Sequence, residues 1–240
     1  MGRKRIWLGV GAVLVALTAL TVGCGGSGEE DWTGAKAPRS GSGSPSDSET
    51  PTATPTGTPS GTPRGVAQAG KRVLFIVAKK DFQDLELNDT RTVLTGKGYT
   101  VTVASSTLNE ITGMEGAKER PAVLVANARA ADYDAVVFIG GEGANEYFDN
   151  AAARTLAKDA SAAGKVVAAI CIAPSTLARA DLLRGKRATC DYGRQQDLKD
   201  HGATVVDSED VVRDGKIITG NGPYAAKKFG EEIAKALAGN

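Results

Sequence analysis

The chain has 240 residues, and its 29 basic and 28 acidic side chains give a net charge of +1, which does not favour nucleic-acid binding. A single histidine excludes a histidine-rich metal site, and three cysteines are too few for a disulfide-stabilised scaffold. Six of the nine prolines precede residue 70, so residues 70–240 form the candidate domain, which is long enough for one sizeable hydrophobic core.

The N-terminal residues 1–23 resemble the signal peptide of a bacterial lipoprotein. Three basic residues precede an apolar run over residues 6–22, whose length is near that of a secretory signal. The run ends in small residues before Cys24, as in a lipobox. We therefore predict cleavage before Cys24, lipidation of its thiol, and anchoring to the cell membrane outside the cytoplasm. The alternative is an uncleaved signal anchor with an incidental Cys24.

Residues 24–69 are rich in proline, threonine, serine and glycine and contain almost no aliphatic side chains. Such a composition cannot bury enough apolar surface to offset the entropy of folding. This segment is predicted to be a disordered tether between the membrane and the domain.

Apolar runs and helical spacing alternate along the rest of the chain. Strands are predicted over residues 73–78, 99–104, 122–126, 135–139, 165–170, 187–190, 204–206, 210–213 and 216–219, and helices over 84–97, 150–163, 174–183 and 224–237. This alternation predicts an α/β fold with a mostly parallel sheet covered on both faces. Functional residues are then expected after the carboxyl ends of strands, near residues 78, 140–141 and 171.

Cys171 lies between a predicted strand and a helix that begins near Pro174. This is the position of a nucleophile elbow, where a sharp turn projects the side chain above the sheet. The N-terminus of a helix favours a thiolate, so a lowered pKa is expected for Cys171. The alternative is an inert buried cysteine.

Four segments carry a resemblance to a known family. They read VLFIVAKKDFQDLEL, AVVFIGGEGA, VVAAICIAPSTLARADLLRGKRAT and ITGNGP, and in this order they resemble the DJ-one/PfpI superfamily, which is similar to class I glutamine amidotransferases. The resemblance spans residues 71–240 and implies a flavodoxin-like three-layer sandwich. It also implies that Cys171 is reactive and that the acid Glu86 forms a hydrogen bond with its sulfur, which requires a proton on Glu86 and a raised pKa.

Further site residues are candidates on the same resemblance. The backbone N–H groups of Gly141 and Ile172 are expected to bind an oxyanion. Asp191 falls where some relatives have a polar residue facing the cysteine. Cys190 is expected on a strand near the pocket, so a Cys171–Cys190 disulfide that masks the nucleophile is one hypothesis, and two independent thiols are the other. The nearby Gln83 is given no role.

The sequence departs from the protease-like members of the superfamily, which have histidine directly after the elbow cysteine. Ile172 occupies that position, and the single histidine, His201, lies at a predicted helix end. A Cys–His pair is therefore not available locally, which argues against a cysteine peptidase.

The expected activity is that of a glyoxalase or deglycase, in which Cys171 and Glu86 act on small reactive carbonyl compounds without a metal or cofactor. One alternative is a non-catalytic redox sensor or chaperone whose Cys171 is oxidised. Another is an inactive amidotransferase-like scaffold that binds a partner. The resemblance also implies that the protein forms a homodimer or a larger homo-oligomer.

Overall fold

The computed structural model describes residues 70–239, so the predicted signal peptide, Cys24 and the whole of the predicted tether lie outside the described residues. The strands are β1 (Arg72–Ile76), β2 (Lys80–Phe82), β3 (Thr100–Ser105), β4 (Ile111–Gly113), β5 (Lys118–Glu119), β6 (Val123–Leu124), β7 (Ala135–Phe138), β8 (Val166–Ile170), β9 (Arg187–Ala188), β10 (Thr204–Val205), β11 (Val211–Asp214) and β12 (Ile217–Gly220). The α-helices are α1 (Asp84–Gly96), α2 (Ala151–Ala162), α3 (Pro174–Arg179), α4 (Gln195–Asp200) and α5 (Ala226–Ala238).

Within residues 70–239 the central sheet has seven strands in the order β11-β12-β8-β7-β1-β3-β6. Neighbouring strands are parallel, except that β11 runs antiparallel to β12. In the register of the sheet, Ile76 pairs with Phe138, and Phe138 pairs with Ala169. The carboxyl ends of β1, β7 and β8 are therefore level, and the segments that follow them meet at one edge of the sheet.

The helices complete a three-layer α/β sandwich, as the sequence predicts. Helix α1 packs against α5, and α2 packs against α3, while members of both pairs contact β8 or β3. The central strands β1, β7 and β8 are buried along nearly their whole length. Their continuous apolar sequences follow from this burial, because a strand covered on both faces has no solvent side for polar residues. Among residues 70–239, no helix has the length and apolar character of a membrane span.

Several predicted elements are shorter than expected, among them the strand predicted over residues 187–190, which covers only Arg187–Ala188. The helix predicted over residues 174–183 ends at Arg179, because Asp181 has a φ of +59° and leaves the helical path. The strand predicted over residues 122–126 covers Val123–Leu124 and continues into a 3-10 turn at Val125–Asn127.

A small second sheet, in the order β2-β4-β5, was not predicted. It is fixed to α1 by Asp84, whose carboxylate accepts the backbone N–H groups of Ala117 at 2.7 Å and Glu115 at 3.0 Å. Asp84 is 5% exposed, so these bonds satisfy a buried carboxylate and hold the β4–β5 turn over the edge of the main sheet.

Candidate active site

Cys171 lies immediately after β8 in a strained turn. Its φ is +62°, in the left-handed region that residues with a Cβ seldom adopt, at a cost of roughly 1–3 kcal/mol. Its backbone N–H donates to the Gly220 carbonyl at 2.9 Å, and its carbonyl accepts the N–H of Asp191 at 2.8 Å. Contacts on both sides thus hold the turn, and the half-buried side chain opens into a cavity. The structure therefore places Cys171 at an elbow of the kind that the sequence predicts.

Two glycines let the end of β7 approach this turn. A Cβ on Gly140 would lie 2.6 Å from the Cβ of Cys171 and 2.6 Å from Oε2 of Glu86. Gly141 has a φ of +93°, and a Cβ there would clash with the Asp81 carbonyl oxygen. A larger residue at either position would push the strand end away from the cysteine.

Glu86, in the first turn of α1, is fully buried beside the cysteine. Its Oε2 accepts the Gly140 N–H at 2.8 Å, and its Oε1 is buried without a hydrogen bond. Burial raises the pKa of Glu86 to about 8, with a further rise from Asp191, although the Gly140 N–H and the Cys171 thiol lower it. The carboxyl group therefore keeps a proton at neutral pH, which confirms the expected direction, and the unbonded Oε1 can carry it.

The pKa of the Cys171 thiol is raised, whereas the sequence predicts a lowered value. Burial first, and then the negative charge of Glu86, raise its pKa to about 12. Asp191 raises it further, while the N–H groups of Gly141 and Ile172 lower it by hydrogen bonds to the sulfur. The expectation of a lowered pKa is thus wrong, because α3 has only six residues and its N-terminus does not offset desolvation.

Cys171 and Glu86 are close enough that each shifts the pKa of the other, so they titrate as one unit. The pKa of Glu86 is about 8 and that of Cys171 is about 12, so Glu86 is the first of the two to lose its proton as pH rises. Between these values the pair holds one proton and one negative charge. The proton then lies on the Cys171 sulfur, so a thiolate nucleophile forms when this proton passes to the Glu86 carboxylate.

A cavity of about 120 Å³ opens above the sulfur. Gly141 and Ile172, the two predicted oxyanion donors, line it together with Cys171 and Asp191. Because both N–H groups already contact the sulfur, an oxygen on an atom bonded to that sulfur would lie near them. The volume admits a molecule of only a few non-hydrogen atoms.

Residues that the sequence did not assign complete the wall of this cavity. Gln83, Met114, Glu142 and Pro223 line it. Gln83 caps α1 by accepting the N–H of Leu85 at 3.0 Å, and its own N–H donates to the Gly140 carbonyl at 3.0 Å. A side-chain oxygen one residue before a helix is the signal of an N-cap, and it could have drawn attention to Gln83.

Asp191 lies at the boundary between this cavity and a second one of about 440 Å³, which Cys190 also lines. Its Oδ1 accepts the N–H of Gly193 at 2.9 Å and caps a 3-10 turn at Tyr192–Arg194. Cys190 is 2% exposed, and both it and Cys171 are free thiols. The hypothesised Cys171–Cys190 disulfide is therefore absent from this structure.

His201 ends α4 and lines neither cavity. Its Nδ1 lies 2.8 Å from the carbonyl oxygen of Asp197 and 3.4 Å from the carboxylate of the same residue. It therefore belongs to the helix end, as expected, and Cys171 has no histidine partner in the described part of the chain. In that same part, no group of three or more His, Cys, Asp or Glu side chains is arranged to hold a metal ion.

Comparisons with known proteins identify a family match and similar folds. Residues 71–236 match the model of the DJ-1/PfpI family. An uncharacterized protein of Methanocaldococcus jannaschii is 38% identical over 172 residues, which cover 70% of this chain and 83% of that protein. A ThiJ/PfpI domain protein from Brachyspira murdochii has a similar structure, with 28% identity and a TM-score of 0.69 over 71% of this chain and 98% of its own. Drosophila melanogaster DJ-1beta is also similar, with 30% identity and a TM-score of 0.65 over 71% of this chain and 92% of its own.

Proposed function

The chain belongs to the DJ-1/PfpI family, and we propose that it is a cysteine-dependent enzyme acting on small reactive carbonyl compounds, in the manner of a glyoxalase or deglycase. The observation that carries this proposal is the pairing of the half-buried Cys171 with the fully buried Glu86 below a cavity of about 120 Å³. The cavity suits a two- or three-carbon aldehyde, and the pair supplies both a nucleophile and a proton.

The proposed reaction with a 2-oxoaldehyde begins when Cys171 transfers its thiol proton to the Glu86 carboxylate and the resulting thiolate attacks the aldehyde carbon. The carbonyl electron pair moves to oxygen, where the N–H groups of Gly141 and Ile172 stabilise the charge. Glu86 then donates its proton to that oxygen, which gives a hemithioacetal and leaves Glu86 as a carboxylate.

The same carboxylate then acts as a base. It removes the hydrogen on the former aldehyde carbon as a proton and returns it to the neighbouring carbon, while the hydroxyl proton passes to the neighbouring oxygen. The product of this transfer is a thioester of a 2-hydroxy acid. Water hydrolyses the thioester, releases the acid and restores the thiol, so the reaction adds one water and needs no oxidant.

Two features disfavour a peptidase. Cys171 has no histidine partner among residues 70–239, and a peptide leaving group needs a general acid that a Cys–His pair ordinarily provides. The small cavity also lacks room for the side chains that flank a peptide bond.

The direct test is methylglyoxal turnover by the full chain. We expect activity in the wild type, loss of activity in Cys171→Ala, and a large decrease in Glu86→Gln, which keeps the shape of the carboxyl but cannot exchange its proton. The proposal fails if the wild type is as inactive as Cys171→Ala.

A redox sensor is the second candidate, because the donors at the sulfur would also stabilise oxygen atoms added to it. Each peroxide molecule would transfer one oxygen atom to the thiolate and leave as water, first giving a sulfenate and then a sulfinate. Intact mass measurement after peroxide treatment would show a gain of two oxygen atoms on Cys171. If Cys171 is oxidised no faster than Cys190, this candidate fails.

The proposed location is the outer face of the cell membrane, and it rests on the lipobox before Cys24. Metabolic labelling with palmitate tests it. We expect the full chain to be labelled and to stay with the membrane fraction, and Cys24→Ser to lose the label. Labelling that persists in Cys24→Ser would contradict the proposed anchor.

A further inference from the structure

The charges around Cys171 are all of one sign. Glu142 and Asp191 are the charged side chains among the residues that line the cavity above the sulfur. Asp191 and Asp207 are those that line the adjoining cavity of about 440 Å³. No lysine or arginine of the described residues lines either cavity.

These three carboxylates also lack cationic partners. Within residues 70–239, neither Glu142, Asp191 nor Asp207 forms an ion pair. Lys199 and Arg194 lower the pKa of the nearby Cys190 by their charge, but neither lines a cavity, and Arg194 lies over the Phe148 ring at 5.1 Å. Among the described residues, these cations therefore act from outside both cavities.

Asp191 connects the two cavities. It lines both of them, and its N–H donates to the carbonyl of Cys171 at 2.8 Å, which fixes its backbone beside the nucleophile. Its Oδ1 caps the following 3-10 turn, and no hydrogen bond to Oδ2 occurs among the described residues. Tyr192, with 86% of its surface exposed, also lines the larger cavity.

We infer that the substrate is a small carbonyl compound that carries a positive charge, such as an aldehyde with an ammonium group. This inference rests on the proposed function. The carbonyl carbon would enter the smaller cavity and reach Cys171, and the cationic group would lie against Asp191 and extend into the larger cavity. Tyr192 would add a cation–π contact there. Anionic carbonyl compounds would be repelled by the same carboxylates, so Asp191 would contribute to substrate specificity.

The test compares three thiol reagents that react by the same chemistry and differ in charge. They are a cationic trimethylammonioethyl methanethiosulfonate, a neutral methyl methanethiosulfonate and an anionic sulfonatoethyl methanethiosulfonate. The rate constant for Cys171 in the full chain is measured by peptide-resolved mass spectrometry, which separates it from Cys24 and Cys190. Each rate is divided by the rate of the same reagent with a free small thiol.

In the wild type at low salt, we expect the cationic reagent to react at least tenfold faster than the anionic one after this correction. In Asp191→Asn this ratio is expected to fall by about fivefold, because one charge near the reacting group is removed. Asp159→Asn, an exposed carboxylate on α2 away from both cavities, is the matched control and is expected to leave the ratio unchanged. Salt should reduce the ratio in the wild type.

The ratio does not depend on how reactive the thiol is, since a changed thiolate fraction affects all three reagents equally. The inference is overturned if the corrected ratio is one or less, or if Asp191→Asn changes it no more than Asp159→Asn does. The test needs only an accessible thiol. If the cationic reagent reacts faster after correction but methylglyoxal is not turned over, the proposed activity is rejected. The charge selectivity of the site is supported in that case.

Discussion

Replacing Glu86 with Gln is expected to stabilise the folded domain at neutral pH, although it removes the acid partner of Cys171. The pKa of Glu86 is about 8 in the folded protein, against an ordinary value of 4.5. Between these values the unfolded chain has lost the proton that the folded protein still holds, so the folded state loses stability as pH rises. The contribution of protonated Glu86 to the stability of the folded domain is fully present below pH 4.5 and is lost as pH rises through about 8.

The magnitude follows from 1.36 kcal/mol for each pKa unit. Compared with a variant whose side chain at this position does not titrate, the free energy of unfolding of the wild type falls by about 3 kcal/mol between pH 4 and pH 7. By pH 8 it has fallen by about 4 kcal/mol. Gln has the same shape and can still accept the Gly140 N–H through its amide oxygen, and it has no proton to lose. The free energy of unfolding of Glu86→Gln should therefore exceed that of the wild type by an amount that grows with pH.

The assay is urea unfolding of the full chain at pH 4, 6, 7 and 8, with wild type and variant measured in the same buffers. Glu115→Gln, an exposed carboxylate on the β4–β5 turn, controls for the loss of one negative charge. A difference between wild type and Glu86→Gln that stays constant over this pH range would refute the reasoning, because it would mean that Glu86 is not protonated in the folded state.

Three further outcomes are expected. Gly140→Ala should destabilise the domain by roughly 1–3 kcal/mol in urea unfolding and slow alkylation of Cys171, because its Cβ would lie 2.6 Å from the Cβ of Cys171. Iodoacetamide alkylation of Cys171 should rise with pH without a plateau near 8, because the pKa of the thiol is about 12, and the rise should shift to lower pH in Glu86→Gln, which lacks a negative charge that raises this pKa. Asp84→Asn should lower the free energy of unfolding by about 1–3 kcal/mol, since an amide oxygen can accept only one of the two part-buried backbone N–H groups, and hydrogen exchange should show faster opening of the β4–β5 turn.

The sequence predicts the parts of the fold that depend on long apolar runs. The strands β1, β7 and β8 are continuous apolar segments, and the level carboxyl ends of three parallel strands follow from their alternation with helices. The position of Cys171 at the end of β8 is therefore readable from the order of elements alone. The assignment of Glu86 as its partner depends on the family resemblance, since an acid in the first turn of a helix is ordinarily solvated.

Other features of the site depend on tertiary contacts that a single sequence does not contain. The strands of the small β2-β4-β5 sheet are two or three residues long and have no periodic pattern, so the contribution of Met114 to the cavity is not predictable. The pKa of Cys171 was predicted in the wrong direction for a related reason. The effect of a helix N-terminus can be inferred from the sequence, whereas the extent of burial depends on the end of β7 and on Asp191.

The features of this site that lower the stability of the folded domain lie in a few residues, which the surrounding strands hold in place. Cys171 has a positive φ, Glu86 is a buried carboxyl with an unbonded oxygen, and Asp191 adds a negative charge beside both. The positive φ, the buried carboxyl and the added negative charge each oppose folding or ionisation at the site. The strain is sustained because β7, β8 and β12 are buried and fix the turn through their backbone hydrogen bonds. Replacing the buried carboxyl should therefore gain stability at neutral pH and lose carbonyl turnover, and in Glu86→Gln both changes can be measured in one protein.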